Sequence, residues 1–246
     1  MFDGPVLLSL ACIGVAAAAN VLGGVIVARR EWDGRLLHYF VALGAGFMLA
    51  AVLLKLVPES MRLSQNAPVL ILGGYLLVHL FEHTVAPHFH FGEETHPEHH
   101  HDATGTVSAL IGLGVHSFFD GVTIGSSFLV DPALGLLLFT AIVLHKAPEG
   151  FAIASVVLAA HGTRAQAIGA SCLIGAASVV GGVAMLALPS LVAWALAVSA
   201  GVTLYVAASD LVPEVNKEGG TTAALCVFAG VVLYYLTERL LSLLGV

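Results

Sequence analysis

The chain has 246 residues, 58% of them hydrophobic and only 10% charged, with a mean hydropathy of +0.96. That composition excludes an ordinary soluble domain and identifies a membrane protein whose surroundings are the lipid bilayer. The modest formal charge of −7 argues against nucleic acid as a partner.

Runs of spanning length with few charges occupy roughly 5–28, 37–57, 69–86, 107–130, 133–160, 165–188, 191–212 and 223–244. They predict an all-α integral membrane protein of about eight transmembrane helices, with residues 1–246 as a single transmembrane domain. The first run has neither a basic leading segment nor a clear cleavage site, so it reads as a retained helix and not as a signal peptide. Arg29, Arg30 and Arg35 follow the first helix, Arg164 lies between the fifth and sixth, and Lys217 lies between the seventh and eighth. All five fall on one side, which the positive-inside rule assigns to the cytoplasm, so both termini are expected outside. Only Arg62 and Arg239 flank helices on the outer face.

The second helix carries Ala45-Gly46-Phe47-Met48-Leu49 and continues to Lys55-Leu56-Val57-Pro58-Glu59. The seventh repeats the pattern at the same spacing, with Ala200-Gly201-Val202-Thr203-Leu204 and Asp210-Leu211-Val212-Pro213-Glu214. These helices cross the membrane in opposite directions, so the similarity has the form of an inverted repeat, an architecture of secondary transporters with the substrate site near the midplane. The third helix contains His79-Leu80-Phe81-Glu82-His83, a match to the H-x-x-E-H pattern of one zinc peptidase class, in which the glutamate serves as base. A membrane-embedded zinc metallopeptidase is therefore the alternative reading.

Between the third and fourth helices, residues 88–102 form a loop rich in histidine and acid that cannot build a core. His88, His90, His96, His99, His100 and His101 suit loose, exchangeable binding of metals by neutral imidazole. Cys12, Cys172 and Cys226 are isolated within helices and read as small core residues.

The fourth and fifth helices carry the chemistry. His116-Ser117-Phe118-Phe119-Asp120-Gly121 and His145-Lys146-Ala147-Pro148-Glu149-Gly150 each place an imidazole and a carboxylate four residues apart, one turn apart on a single helix face. Both histidines fall near mid-membrane, where an ionisable group marks a functional site. The short turn at Asp131-Pro132 makes the two helices antiparallel neighbours, so His116, Asp120, His145 and Glu149 can meet around one divalent cation. Such mixed nitrogen and oxygen ligands suit Zn²⁺ and also accept Fe²⁺, Mn²⁺ and Cd²⁺. Pro148 should loosen the turn before it, and Gly121 and Gly150 allow close helix approach. A metal-sensing receptor without transport would use the same ligands.

These motifs resemble those of the ZIP family of divalent metal transporters. There the fourth helix carries His-Asn-x-x-Asp/Glu-Gly and the fifth His-x-x-Pro-x-Glu or His/Gln-x-x-Pro-Glu-Gly. Eight helices, both termini outside and a histidine-rich loop after the third helix also match. The resemblance implies a carrier and not an enzyme, with zinc-preferring uptake across the cell membrane into the cytoplasm. It further implies a 3+2+3 helix arrangement, homodimers and an elevator-like motion of one helix group against another. Many members hold two adjacent metals, using the residue after each motif histidine and a sixth-helix glutamate. Here those positions carry Ser117 and Lys146, no acid occurs between Glu149 and Asp210, and Ser178 falls at the sixth-helix position. A lysine beside Asp120 or Glu149 would take over the charge of the second ion, so a mononuclear site is expected. Met48 stands where the family sometimes supplies a thioether, although filling apolar space is the other reading. Glu59 and Glu238 lie near outer helix ends as a candidate acidic entrance or as solvated charges, Asp210 and Glu214 lie toward a cytoplasmic exit, and Lys55 has no evident role.

Overall fold

The computed structural model describes residues 4–29, 34–84, 103–218 and 220–244, with the side chains of 34–37, 103–105, 214, 217 and 218 left aside. The six candidate loop ligands, His88, His90, His96, His99, His100 and His101, lie outside the described residues. Eight helices are long and apolar enough to cross a membrane. They are α1 (Gly4–Arg29), α2 (Gly34–Ala51, continued by Val52–Leu56 and Val57–Leu63), α3 (Ala67–Thr84) and α4 (Ala103–Val130). The others are α5 (Pro132–Ala159), α6 (Arg164–Ala187), α7 (Val192–Tyr205, continued by Val206–Leu211 and Val212–Glu218) and α8 (Thr221–Leu243). In lipid a backbone must satisfy its own polar groups, and a helix does so within one segment.

Local chemistry sets the ends. The Asp131 carboxylate accepts the Leu134 N–H at 3.0 Å and Pro132 takes the first helical position, which starts α5. Thr163 and Gln166 form a reciprocal capping box at the start of α6. In α2 and α7 the helix passes through a π turn, Val52–Leu56 and Val206–Leu211, shortly before Pro58 and Pro213. A proline offers no N–H to the preceding turn, and the wider π spacing re-registers the ladder there. This lets α2 run on to Leu63, past the expected end near residue 57.

The helices fall into two groups. In the first, α1 packs on α5 and α6, and α4 packs on α5 and α6; in the second, α2 packs on α8 and α3 on α7. The groups meet where α2 touches α5 and α7 touches α4. Glycine makes the closest approaches possible: a Cβ on Gly121 would collide with the Ser178 carbonyl of α6, and one on Gly150 with the Asn20 carbonyl of α1. Toward the end of the bundle that carries Asp131, Val52, Leu56, Leu134, Leu137, Leu138 and Ala141 form a buried apolar layer, and Met48 belongs to the same core. Cys12 is buried and Cys226 partly so, but Cys172 is exposed on α6. A thiol is apolar enough for that outward face, so Cys172 is not the core residue expected.

Candidate metal centre

α4 contributes His116 and Asp120, and α5 contributes His145 and Glu149; all four side chains are buried. Each offers one ligand atom, and these atoms lie within 4.8 Å of one another, the sole such cluster of three or more among the described residues. Asp120 Oδ2 is the hub, 3.1 Å from Nε2 of His116 and 3.1 Å from Nε2 of His145. The two Nε2 atoms are themselves 3.4 Å apart. On its other side the His145 ring places Nδ1 3.1 Å from the Ala141 carbonyl oxygen. A carbonyl can only accept, so Nδ1 carries a proton, and Nε2 is the ring nitrogen left to offer a lone pair to a cation that takes its place beside Asp120. Lone pairs converging from two imidazoles and a carboxylate are what a divalent cation requires.

Lys146 enters the same cluster. Its ammonium is fully buried, 2.7 Å from Asp120 Oδ2, 2.5 Å from Glu149 Oε2 and 2.6 Å from Ser117 Oγ. Those contacts match its three N–H donors. Ser117 in turn donates to the other oxygen of Glu149. The lysine does not reach toward a membrane surface. It sits between the two carboxylates as the cation of a closed network, and such a group is tolerated in a low-dielectric interior only when paired in this way. Ser178 is buried, but its hydroxyl makes no hydrogen bond among the described residues.

A cavity of about 80 Å³ lies between α3 and α4, and its lining includes both Glu82 and His116. Glu82 is buried and accepts a hydrogen bond from the Tyr205 hydroxyl at 2.8 Å. Next to it, the hydroxyls of Tyr75 and Ser209 are 2.7 Å apart. His79 and His83 face outward instead, with ring centroids 4.2 Å apart and tilted by 40°, and His83 Nδ1 lies 2.8 Å from the His79 carbonyl oxygen. The glutamate of the H-x-x-E-H pattern is therefore engaged with α7 and not poised beside its two histidines. Spacing alone did not single out Tyr205, whose one signal is a phenol in an apolar helix five residues before Asp210.

The remaining candidates are dispersed. Glu59 makes a forked ion pair with Arg62, with Nε at 2.9 and 3.0 Å from its two oxygens. Glu238 lies 3.8 Å from Lys55 Nζ, and both line a cavity of about 440 Å³ between α2, α5 and α8. The acids expected at an entrance are thus each matched by a cation. Asp210 is buried in the π turn of α7, and the side chain of Glu214 is outside the described set.

Comparison with known proteins agrees with this chemistry. Residues 103–238 match a family model described as ZIP zinc transporter. Zinc transporter foi of Drosophila melanogaster is 29% identical over 124 residues, 47% of this chain and 18% of that protein. Zinc transporter ZIP9 of Micropogonias undulatus is 30% identical over 164 residues, 61% of this chain and 52% of that protein. Metal cation symporter ZIP14 of Bos taurus is 22% identical over an alignment of 293 residues, 85% of this chain and 60% of that protein. The chain thus spans about half or less of the first two relatives. With a family match over more than half its length and a buried pair of His/carboxylate helices inside the matched segment, the chain belongs to the ZIP family.

Proposed function

We propose that this protein carries divalent metal ions, Zn²⁺ foremost, across the cell membrane into the cytoplasm, and that His116, Asp120, His145 and Glu149 bind the ion in transit. The observation that carries this reading is the convergence of four buried ligand groups within 4.8 Å, from two helices, at mid-depth in an eight-helix bundle. Fe²⁺, Mn²⁺ and Cd²⁺ suit the same mixed ligands and are secondary substrates. The site is mononuclear, because the Lys146 ammonium already bridges the two carboxylates and a second cation would meet its repulsion at low dielectric.

The neighbour relations support a 3+2+3 inverted repeat. Exchanging α1, α2 and α3 for α6, α7 and α8, and α4 for α5, turns the α1–α5, α2–α8 and α2–α5 contacts into the α6–α4, α7–α3 and α7–α4 contacts, all of which occur. All four ligands ride on the α1/α4/α5/α6 group, so an elevator-like displacement of that group against α2/α3/α7/α8 would carry the ion whole. The Asp131 end faces outside, both termini lie there, and the carrier is a homodimer, as in the family resemblance. The histidine-rich loop at 88–102 is then a cytoplasmic metal reservoir. No observation favours the peptidase reading, since Glu82 is bonded to Tyr205.

The test is flux. Purified protein in liposomes loaded with a metal-sensitive dye should take up Zn²⁺, and His145→Ala and Glu149→Ala should each remove most of that uptake while eluting as folded protein. Near-normal uptake by both variants would overturn the site assignment, and binding without flux would favour a receptor.

A further inference from the structure

The two mouths of the α2/α3/α7/α8 group can be matched residue by residue. Gly46 of α2 abuts Val227 of α8, and Gly230 of α8 abuts Leu43 of α2; likewise Gly201 of α7 abuts Ile71 of α3, and Gly74 of α3 abuts Val198 of α7. Nine residues after Gly46 comes Lys55, and nine after Gly201 comes Asp210. Eight residues after Gly230 comes Glu238, and eight after Gly74 comes Glu82. Lys55 and Asp210 each lie in a π turn. The Lys55–Glu238 pair at the Asp131 end is therefore the counterpart of Asp210 and Glu82 at the opposite end, with the glutamate kept and the charge at the π-turn position reversed. Asp210 and Glu82 are two buried carboxylates, 4% and 2% exposed. Lys55 and Glu238 are an ammonium and a carboxylate 3.8 Å apart, 39% and 40% exposed. They open on a cavity that also includes Leu137 of α5, about 12 Å along the helix axis from His145.

We propose that Lys55 is a tethered cation at the outer mouth, whose ammonium holds the place on Glu238 that an arriving divalent ion must take. Metal then reaches α5 only in exchange for the ammonium, and Lys55 sets the apparent affinity of uptake. The proposal rests on the transport reading and on the inverted repeat. At 3.8 Å the pair is too long for a hydrogen bond. Its exposure makes it weak, and lysine's flexible stem lets the ammonium swing aside. A divalent ion brings twice the charge to Glu238, so the exchange runs in favour of the metal.

Initial Zn²⁺ uptake into liposomes should be measured against concentration for the unmodified protein, Lys55→Gln, Lys55→Arg, Glu238→Gln and the Lys55→Gln/Glu238→Gln double variant. Lys55→Gln should lower KM about fivefold with the maximal rate changed less than twofold, the effect of one unit charge near 4 Å in a wet site. Lys55→Arg should keep the original KM, and the Lys55→Gln effect should vanish when Glu238 is already Gln. An unchanged KM in Lys55→Gln, or an equal fall in both backgrounds, overturns the proposal. Calorimetric titration of the solubilised protein with Zn²⁺ provides a readout without flux: Lys55→Gln should gain about fivefold in affinity at one binding event, which the double variant lacks. That gain in a protein without flux would sink the transport reading alone. Normal flux with neither the KM change nor the gain would sink this proposal alone.

Discussion

Lys146 is where the centre departs most from a bare metal site. Its ammonium is wholly buried against Asp120, Glu149 and Ser117, so removing it strands two carboxylates without compensation. Lys146→Met should therefore lower stability by about 3–5 kcal/mol in metal-free buffer, read as a fall in Tm in detergent. Zn²⁺ should restore more of that loss than it adds to the unmodified protein, because the ion then supplies the missing charge. Anomalous scattering should find one midplane ion per chain in the unmodified protein and two in Lys146→Glu; two in the unmodified protein would contradict the charge argument. The cluster of His116, Asp120, His145 and Glu149 was legible in the sequence because the one-turn spacing and depth of its members are local properties of two helices. The presence of an ammonium near them was legible for the same reason. Its three-way bonding was not, since that depends on how α4 and α5 are rotated about their axes. Glu82 shows the opposite failure: its local pattern named a peptidase, and a partner more than a hundred residues away, Tyr205, decided its role.

At the scale of elements, the helices were legible as apolar runs, and the observed spans follow them closely. The π turns were not, because the proline that provokes them is compatible with a stop, a kink or a re-registered ladder. Helix contacts hinge on glycines that face backbone. Gly150→Ala would press a methyl group into the Asn20 carbonyl of α1 and should cost about 1–3 kcal/mol through overpacking. Gly169→Ala, with nothing within 4 Å of the added carbon, should instead be neutral or add up to about 1 kcal/mol through helix propensity. Thermal unfolding of the two variants side by side checks the prediction; equal Tm values would show that α1 and α5 separate easily.

At the scale of the molecule, the proposed orientation is open to direct labelling. With Cys12, Cys172 and Cys226 replaced by Ala, an impermeant maleimide applied to intact cells should label Gln65→Cys, between α2 and α3, and spare His161→Cys, between α5 and α6. The reverse pattern would invert the topology and with it the direction assigned to the two mouths. If the site moves across the membrane as proposed, the buried lysine also sets how transport responds to voltage. With neutral imidazoles, Asp120, Glu149 and Lys146 sum to one negative charge when the site is empty and one positive charge when it holds a divalent ion. A site moving through the membrane field thus feels the potential on both strokes, loaded and empty, with about 2.3 kcal/mol per charge for each 100 mV traversed in full. Without the lysine the loaded site would be electrically silent, and the whole voltage dependence would fall on the empty return. In the proposed cycle the ammonium divides the electrical driving force between the two halves, so a membrane potential that draws the ion inward would also push the vacant site back out.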